Sequence, residues 1–205
     1  MKRIYLARHG QDEDNARGIL NGQRNMPLSP LGLEQADILA TKVQELGLGI
    51  TKIYSSPLER AFRTADTVAG KLGLPEPEKV DMLIERDFGI MTGQLVADIE
   101  KMCAPNIVKA DPIIYFLDAE GAETFAMTRE RAESFLSWLE KNCEEENILI
   151  VCHGDIAKMI YTVFYGLEWM DVLTKFHIGN SDVLLLEQGS SEGERHIHKV
   201  EQFNH

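Results

Sequence analysis

An apolar run ending in His-Gly occurs twice in this chain, near the start and again about 140 residues later, and the pair limits the folds open to it. The first copy is Ile4-Tyr5-Leu6-Ala7-Arg8-His9-Gly10 and the second Ile148-Leu149-Ile150-Val151-Cys152-His153-Gly154. Neither alternates apolar with polar residues, which is the pattern of a strand buried on both faces inside an α/β sheet. Ligands of such sheets collect at the carboxyl ends of the strands. If the two strands are parallel neighbours, about 4.8 Å apart, His9 and His153 leave the sheet side by side. The glycine after each lets backbone come close to a ligand. Of the six histidines, only these two are followed by glycine. Two imidazoles beside Arg8 would make an anion site that contains a nucleophile.

The rest of the chain interleaves helix and strand signals. Ser29-Pro30 reads as an N-cap and first helical residue, opening a helix to about Leu46 that Gly47 and Gly49 end. Residues 51–55 read as a second strand. Pro57 opens another helix, whose apolar face carries Ala61, Ala65, Val68 and Leu72. Arg60 lies off that stripe in the first turn, where a helix N-terminus already favours anions. Val80 to Ile84 reads as a third strand leading into Glu85-Arg86-Asp87-Phe88-Gly89. Residues 90–120, with the apolar patch 113–117, read as one or two short helices forming a lid. A long amphipathic helix follows Thr124, then the strand 148–152 and a helix over 154–165. Val183 to Glu187 and His196 to Phe203 read as a closing pair of strands around the turn 189–193. The fold class expected is α/β, a three-layer α/β/α arrangement with a mostly parallel central sheet, helices on both faces and a small helical lid insertion. One domain over residues 1–205 accommodates it.

The chain has 205 residues, a formal net charge of −12 and a pI of about 4.9, which argues against nucleic acid or an anionic membrane surface as the main partner. An anionic ligand must then be drawn by local arginines, Arg8 and Arg60 with Arg17 or Arg24. Asp12-Glu13-Asp14, in the polar loop over residues 10–28, reads as a solvated turn or as a device selecting substrates by repulsion. Cys103, Cys143 and Cys152 are too widely spaced to suggest a disulfide framework or a zinc site. Cys152 is adjacent to His153 on a strand, so the two side chains point to opposite faces and do not form a thiol-base pair. His196 and His198 share a strand face without an evident third ligand, and no metal is expected. With no apolar run near 18 residues and no secretory leader read at its start, the expected location is the cytoplasm.

Four motifs in order carry a resemblance. Arg8-His9-Gly10-Gln11 with Asn15, Ser55-Ser56-Pro57-Leu58-Glu59-Arg60-Ala61, Glu85 ahead of Gly89, and Cys152-His153-Gly154 together resemble the histidine phosphatase superfamily in its phosphoglycerate mutase-like branch. The match covers residues 4 to about 180. The resemblance implies that His9 attacks phosphorus, that Arg8, Arg60 and a cationic His153 hold the phosphoryl oxygens, and that Glu85 is the proton donor, with Asp87 as competitor. It implies further substrate contacts from Asn15, Asn21 and the main-chain N–H groups after His153, beginning at Gly154. No cofactor is implied. Asp12 stands where this family often has Thr, Asn21 where many of its phosphatases have Gln, and Thr92 and Ala122 also depart from its usual residues. These changes spare the catalytic set and bear on the substrate. The activity expected is hydrolysis of a small phosphate monoester; a phosphoglycerate mutase and a non-catalytic phospho-ligand module are the alternatives. Between Glu85 and Glu123 lie only 37 residues (86–122), fewer than is usual in the mutases the chain resembles. An edge strand near residues 182 to 188 is available to pair in a homodimer.

Overall fold

The two apolar runs are neighbouring parallel strands. The structure, a computed structural model, describes residues 2–111, 113–187, 189 and 196–199. In chain order its elements are β1 (Arg3–Arg8), α1 (Glu13–Ala16), α2 (Pro30–Leu46), β2 (Lys52–Ser55), α3 (Glu59–Leu72), β3 (Glu78–Lys79), α4 (Ile99–Cys103), β4 (Ile107–Ala110), β5 (Ile113–Phe116), α5 (Phe125–Asn142), β6 (Asn147–Cys152), α6 (Gly154–Tyr165), α7 (Trp169–Lys175), β7 (Val183–Glu187) and β8 (His196–His198). The main sheet runs β3-β2-β6-β1-β7-β8. Its first four strands are parallel, and β7 lies antiparallel to both β1 and β8.

Register explains the duplicated sequence. Ile4 pairs with Ile148 and Arg8 with Cys152, so the chain leaves both strands at the same level with His9 and His153 abreast. Ile4, Leu6, Ile148, Ile150 and Cys152 pack into the core beneath α5 and α6, while Tyr5, Ala7, Leu149 and Val151 pack into the one beneath α2 and α3. Both strands are apolar through their buried stretches, Ile4 to Ala7 and Ile148 to Cys152, because helices cover both faces.

The helix boundaries follow their punctuation. Ser29 Oγ accepts the Gly32 N–H at 3.0 Å to start α2, and Gly47 ends it in the left-handed region at φ 58°. The loop after β1 rests directly on the first turn of α2. A Cβ on Gly32 would lie 1.8 Å from the Gln11 carbonyl oxygen, so glycine is required there.

Three expectations need correction. The third strand is the short β3; Val80 to Ile84 instead continues through a 3-10 turn at Asp81–Leu83. Val80 and Leu83, three apart, enter the same core, a spacing that suits a helical turn and not a strand. The segment expected to form a lid does contain a helix, α4, but the apolar patch expected to be helical is one arm of the β4-β5 hairpin, in which Ile107 faces Phe116 and Ala110 faces Ile113. Its run of β-branched and aromatic residues favours a pleated, half-buried surface. Strand β7 is not the sheet's outermost described strand, since β8 pairs with it at Val183 and Leu184 on the side away from β1. Helix α7 was not foreseen. Most of the turn 189–193, residues 200–203 and the side chains of His196 and His198 lie outside the described residues. No described helix is long and apolar enough to cross a membrane.

Candidate active site

Where β1 and β6 end, the two imidazoles stand edge to face with ring centroids 4.9 Å apart. His9 Nδ1 lies 2.6 Å from the Gly10 carbonyl oxygen. A carbonyl only accepts, so Nδ1 carries the proton and Nε2 holds the lone pair. Arg60, in the first turn of α3, points its Nε–H at that lone pair and at His153 Nδ1, 3.2 Å from each. His153 Nδ1 is therefore also an acceptor, and its Nε2–H donates to Ser56 Oγ at 2.8 Å. Burial, followed by the positive charge of Arg60, lowers both histidines well below their ordinary value. Burial and Arg60 thus favour the neutral form of both imidazoles, and the cationic His153 expected from the resemblance needs a further negative charge beside it.

Arg60 is fully buried and held on every side. Its Nη1 donates to the Arg24 carbonyl at 2.6 Å and its Nη2 to the Gly22 carbonyl at 2.7 Å. Asp12 Oδ2 pairs with its Nε at 3.2 Å, and Arg24 pairs with Asp14 at the same distance. Asp12 and Asp14 are thus no solvated turn; both are completely buried. Asp12 also caps α1 by accepting the Asn15 N–H at 2.7 Å and takes the Asn21 side-chain amide. The acidic residues serve the arginines, since a buried cation needs a partner. Arg17 stays outside, exposed and paired with Glu13.

A cavity of about 310 Å³ opens over this cluster, with Arg8, Asn15, Asn21, Glu85 and Gly154 in its wall. His9, Arg60 and His153 do not line it and are at most 2% exposed. Arg8 donates through Nη1 to the Ile178 carbonyl at 3.0 Å, while its buried Nε has no hydrogen-bond partner among the described residues. An unsatisfied buried guanidinium N–H in a cavity wall is a place for an oxyanion. Asn15 accepts from the Asn180 side chain at 3.3 Å.

Glu85 stands where the chain leaves the 3-10 turn. Arg131 of α5 donates to the carbonyls of Met82 and Ile84 at 2.9 and 2.6 Å and is itself clamped by Glu123. Glu85 Oε1 accepts the N–H groups of Arg86 and Ile156, and Oε2 that of Asp155. Of the main-chain donors expected to face phosphate at the start of α6, those of Asp155 and Ile156 therefore face Glu85. Burial, then the nearby Asp155 carboxylate, raises the Glu85 carboxyl above its ordinary value, as a proton donor needs. Asp87 is turned aside, accepting the Gly89 N–H at 2.9 Å, and does not line the cavity. Cys152 is buried, and desolvation pushes its thiol up, so it is inert packing.

Sequence reasoning overlooked Arg86, Asp155 and Lys158, all in the cavity wall. Arg86 sits in a Glu-Arg-Asp run that resembles a surface, yet it is 1% exposed and bonded to Asp155 at 2.8 Å. Lys158 was legible: it is a lone cation one turn after Gly154 in an otherwise apolar stretch of α6. Among the described residues no group of three or more His, Cys, Asp or Glu is arranged to hold a metal ion.

The model of the histidine phosphatase superfamily (branch 1) matches residues 4–200. Phosphoserine phosphatase 1 of Hydrogenobacter thermophilus is 29% identical over 176 residues, covering 86% of this chain and 80% of that protein. A 2,3-bisphosphoglycerate-dependent phosphoglycerate mutase of a Chelativorans species is 28% identical over 174 residues, covering 83% and 84%. The crystal structure of a phosphoserine phosphatase from Entamoeba histolytica in complex with 3-phosphoglyceric acid superposes with a TM-score of 0.72 at 27% identity, covering 90% of each chain.

Proposed function

The chain belongs to the histidine phosphatase superfamily, branch 1, and on that premise we propose that it is a phosphatase hydrolysing a small phosphate monoester through a phosphohistidine on His9. The observation that carries this is the Nδ1–H bond of His9 to the Gly10 carbonyl, which leaves Nε2 as a nucleophile in front of two arginines. The phosphoryl group reaches Nε2 when one of its oxygens takes over the Arg60 Nε–H. Arg8 supplies its unpaired Nε–H, and Asn15 and the Gly154 N–H complete the cradle. The dianion also draws His153 toward the imidazolium form, because an adjacent negative charge favours it.

The Nε2 lone pair forms the P–N bond as the ester P–O bond breaks, and the leaving oxygen takes the proton of Glu85. Glu85, now a carboxylate, removes a proton from water, whose oxygen attacks phosphorus. The P–N bond breaks, its electron pair returns to Nε2, and inorganic phosphate departs with Glu85 again protonated. The arginines stabilise the charge on the equatorial oxygens throughout. Residues 90–120 act as the lid over the leaving group.

The test is phosphate release from a panel of monoesters with EDTA present, with phosphoglycerate mutase turnover assayed alongside. Rapid alkaline quenching should trap radiolabelled phosphate on His9, in an acid-labile, alkali-stable form. Phosphoryl exchange with little hydrolysis would replace the phosphatase reading by a mutase. No turnover and no label would leave only a phospho-ligand module.

A further inference from the structure

Beyond the phosphoryl cradle the cavity changes character. The remainder of its wall comes largely from the lid and the segment facing it, with Leu20, Phe88, Val96, Ile113, Ile114 and Phe116 contributing apolar surface. Leu20, Phe88, Val96, Ile114 and Phe116 belong to one hydrophobic cluster with Met91 and Ile99, so this end is built from packed side chains.

The described arginines and lysines of the wall are Arg8, Arg86 and Lys158, and its described histidine is His177. Arg8 belongs to the cradle. Arg86 gives Nε to Asp155 at 2.8 Å and Nη1 to the Glu123 carbonyl at 3.1 Å. Its guanidinium carbon lies 4.9, 4.2 and 4.4 Å from the ring centroids of Phe88, Phe116 and Phe125, so aromatic faces enclose it. Lys158 donates to the carbonyls of Val172 and Leu173 at 3.3 and 2.8 Å and to that of Phe176, tying down the end of α7. Both cations are spent on the protein. Glu85 holds its proton in the reading above, and the wall's other acidic groups, Asp155 paired with Arg86 and Glu100 paired with Lys109, offer a second anionic group nothing to bind, while the net charge of −12 opposes it.

A carboxylate on the leaving group would lose water here with no arginine or lysine of this wall to spare for it, whereas an apolar body gains by burial. We infer that the preferred ester carries an uncharged, apolar leaving group, an aryl or branched alkyl alcohol, in place of a carboxylated one such as phosphoserine or phosphoglycerate. The inference rests on the phosphatase reading above and selects the substrate class within it.

Two matched pairs test it: phenyl against para-carboxyphenyl phosphate, and isoamyl phosphate against 3-phosphoglycerate. The first pair keeps leaving-group reactivity nearly constant, so a difference reports on binding. The uncharged member of each pair should have a kcat/KM higher by about tenfold or more, the effect of an unpaired carboxylate in a desolvated site. Ile114→Lys, which adds a cation to this wall, should narrow the ratio severalfold. Equal or higher kcat/KM for the carboxylated esters overturns the inference while leaving the phosphatase reading intact. A ratio unchanged in Ile114→Lys also overturns it, since discrimination would then lie outside the lid. No hydrolysis of any ester and no label on His9 would defeat the phosphatase reading itself.

Discussion

Glu85→Gln preserves the shape of the side chain and removes the proton it gives. In the native site Oε1 accepts from Arg86 N at 2.9 Å and Ile156 N at 3.2 Å, and Oε2 from Asp155 N at 3.3 Å. The amide oxygen of the variant keeps the two Oε1 bonds, while its nitrogen faces the Asp155 donor, so one long hydrogen bond is lost, about 1 kcal/mol. Against that stands the charge. Burial and Asp155 raise the carboxyl above its ordinary 4.5. The stability of the native protein that depends on Glu85 is therefore fully present below that value and lost as pH rises through the raised one. Glu85→Gln has no such loss, so its urea midpoint should gain on the native protein as pH increases. Catalysis should change far more. A general acid contributes about 10²–10⁴-fold, or about 3–5 kcal/mol of barrier, but only where the leaving group needs a proton. The kcat/KM for an alkyl phosphate should fall by that factor, and for para-nitrophenyl phosphate by less than about tenfold. Because the variant also lacks the base for hydrolysing phosphohistidine, it should release a burst of nitrophenol and then slow. The alkaline fall in kcat/KM for alkyl phosphates, which follows Glu85 losing its proton, should vanish. Equal losses of kcat/KM on both substrates would refute proton donation and leave Glu85 as a partner of the α6 amides alone.

Three further outcomes follow from the same geometry. His9→Ala should lower turnover by about 10³-fold or more while costing about 1–2 kcal/mol of stability, since its bonds to Gly10 and Arg60 and its edge contact with His153 are lost; residual activity above a few per cent would rule it out as nucleophile. Gly32→Ala puts a methyl 1.8 Å from the Gln11 carbonyl oxygen, so the loop carrying His9 must shift; a loss of about 3 kcal/mol in denaturant titration, with reduced kcat, is expected. Lys158→Met leaves the carbonyls of Val172, Leu173 and Phe176 without their ammonium donor and should destabilise the protein by about 2–5 kcal/mol, seen as a lower urea midpoint.

The neutral state of both histidines has a consequence for pH dependence. Their lowered values follow from burial and then Arg60. In the free protein Nε2 of His9 therefore remains a nucleophile well into the acid range, and the acid limb of kcat/KM should lie below the ordinary imidazole value. Arg8 and Arg60 carry the permanent charge of the proposed site, while desolvation keeps an imidazolium at His153 unfavourable without an added anion.

Much of this was legible in the residues. Unbroken apolar runs ending in His-Gly determine paired strands buried on both faces, and therefore a sheet with helices on each side and two histidines at one edge. Ser29-Pro30, Gly47 and Thr124 mark helix ends because capping is a matter of local backbone chemistry. The four motifs named the family for the same reason: each is a contiguous stretch whose spacing survives in sequence. Tertiary structure alone decided what those stretches face. Asp12 and Asp14 read as solvent-facing until the fold closes them over Arg60 and Arg24, and Arg86 reads as a surface charge until three aromatic rings and Asp155 enclose it. The hairpin over residues 107–116 took its form from packing on Phe88 and Ile99. Burial of charge and the use of a cation depend on partners from distant segments, and local pattern carries no information about which partner will arrive.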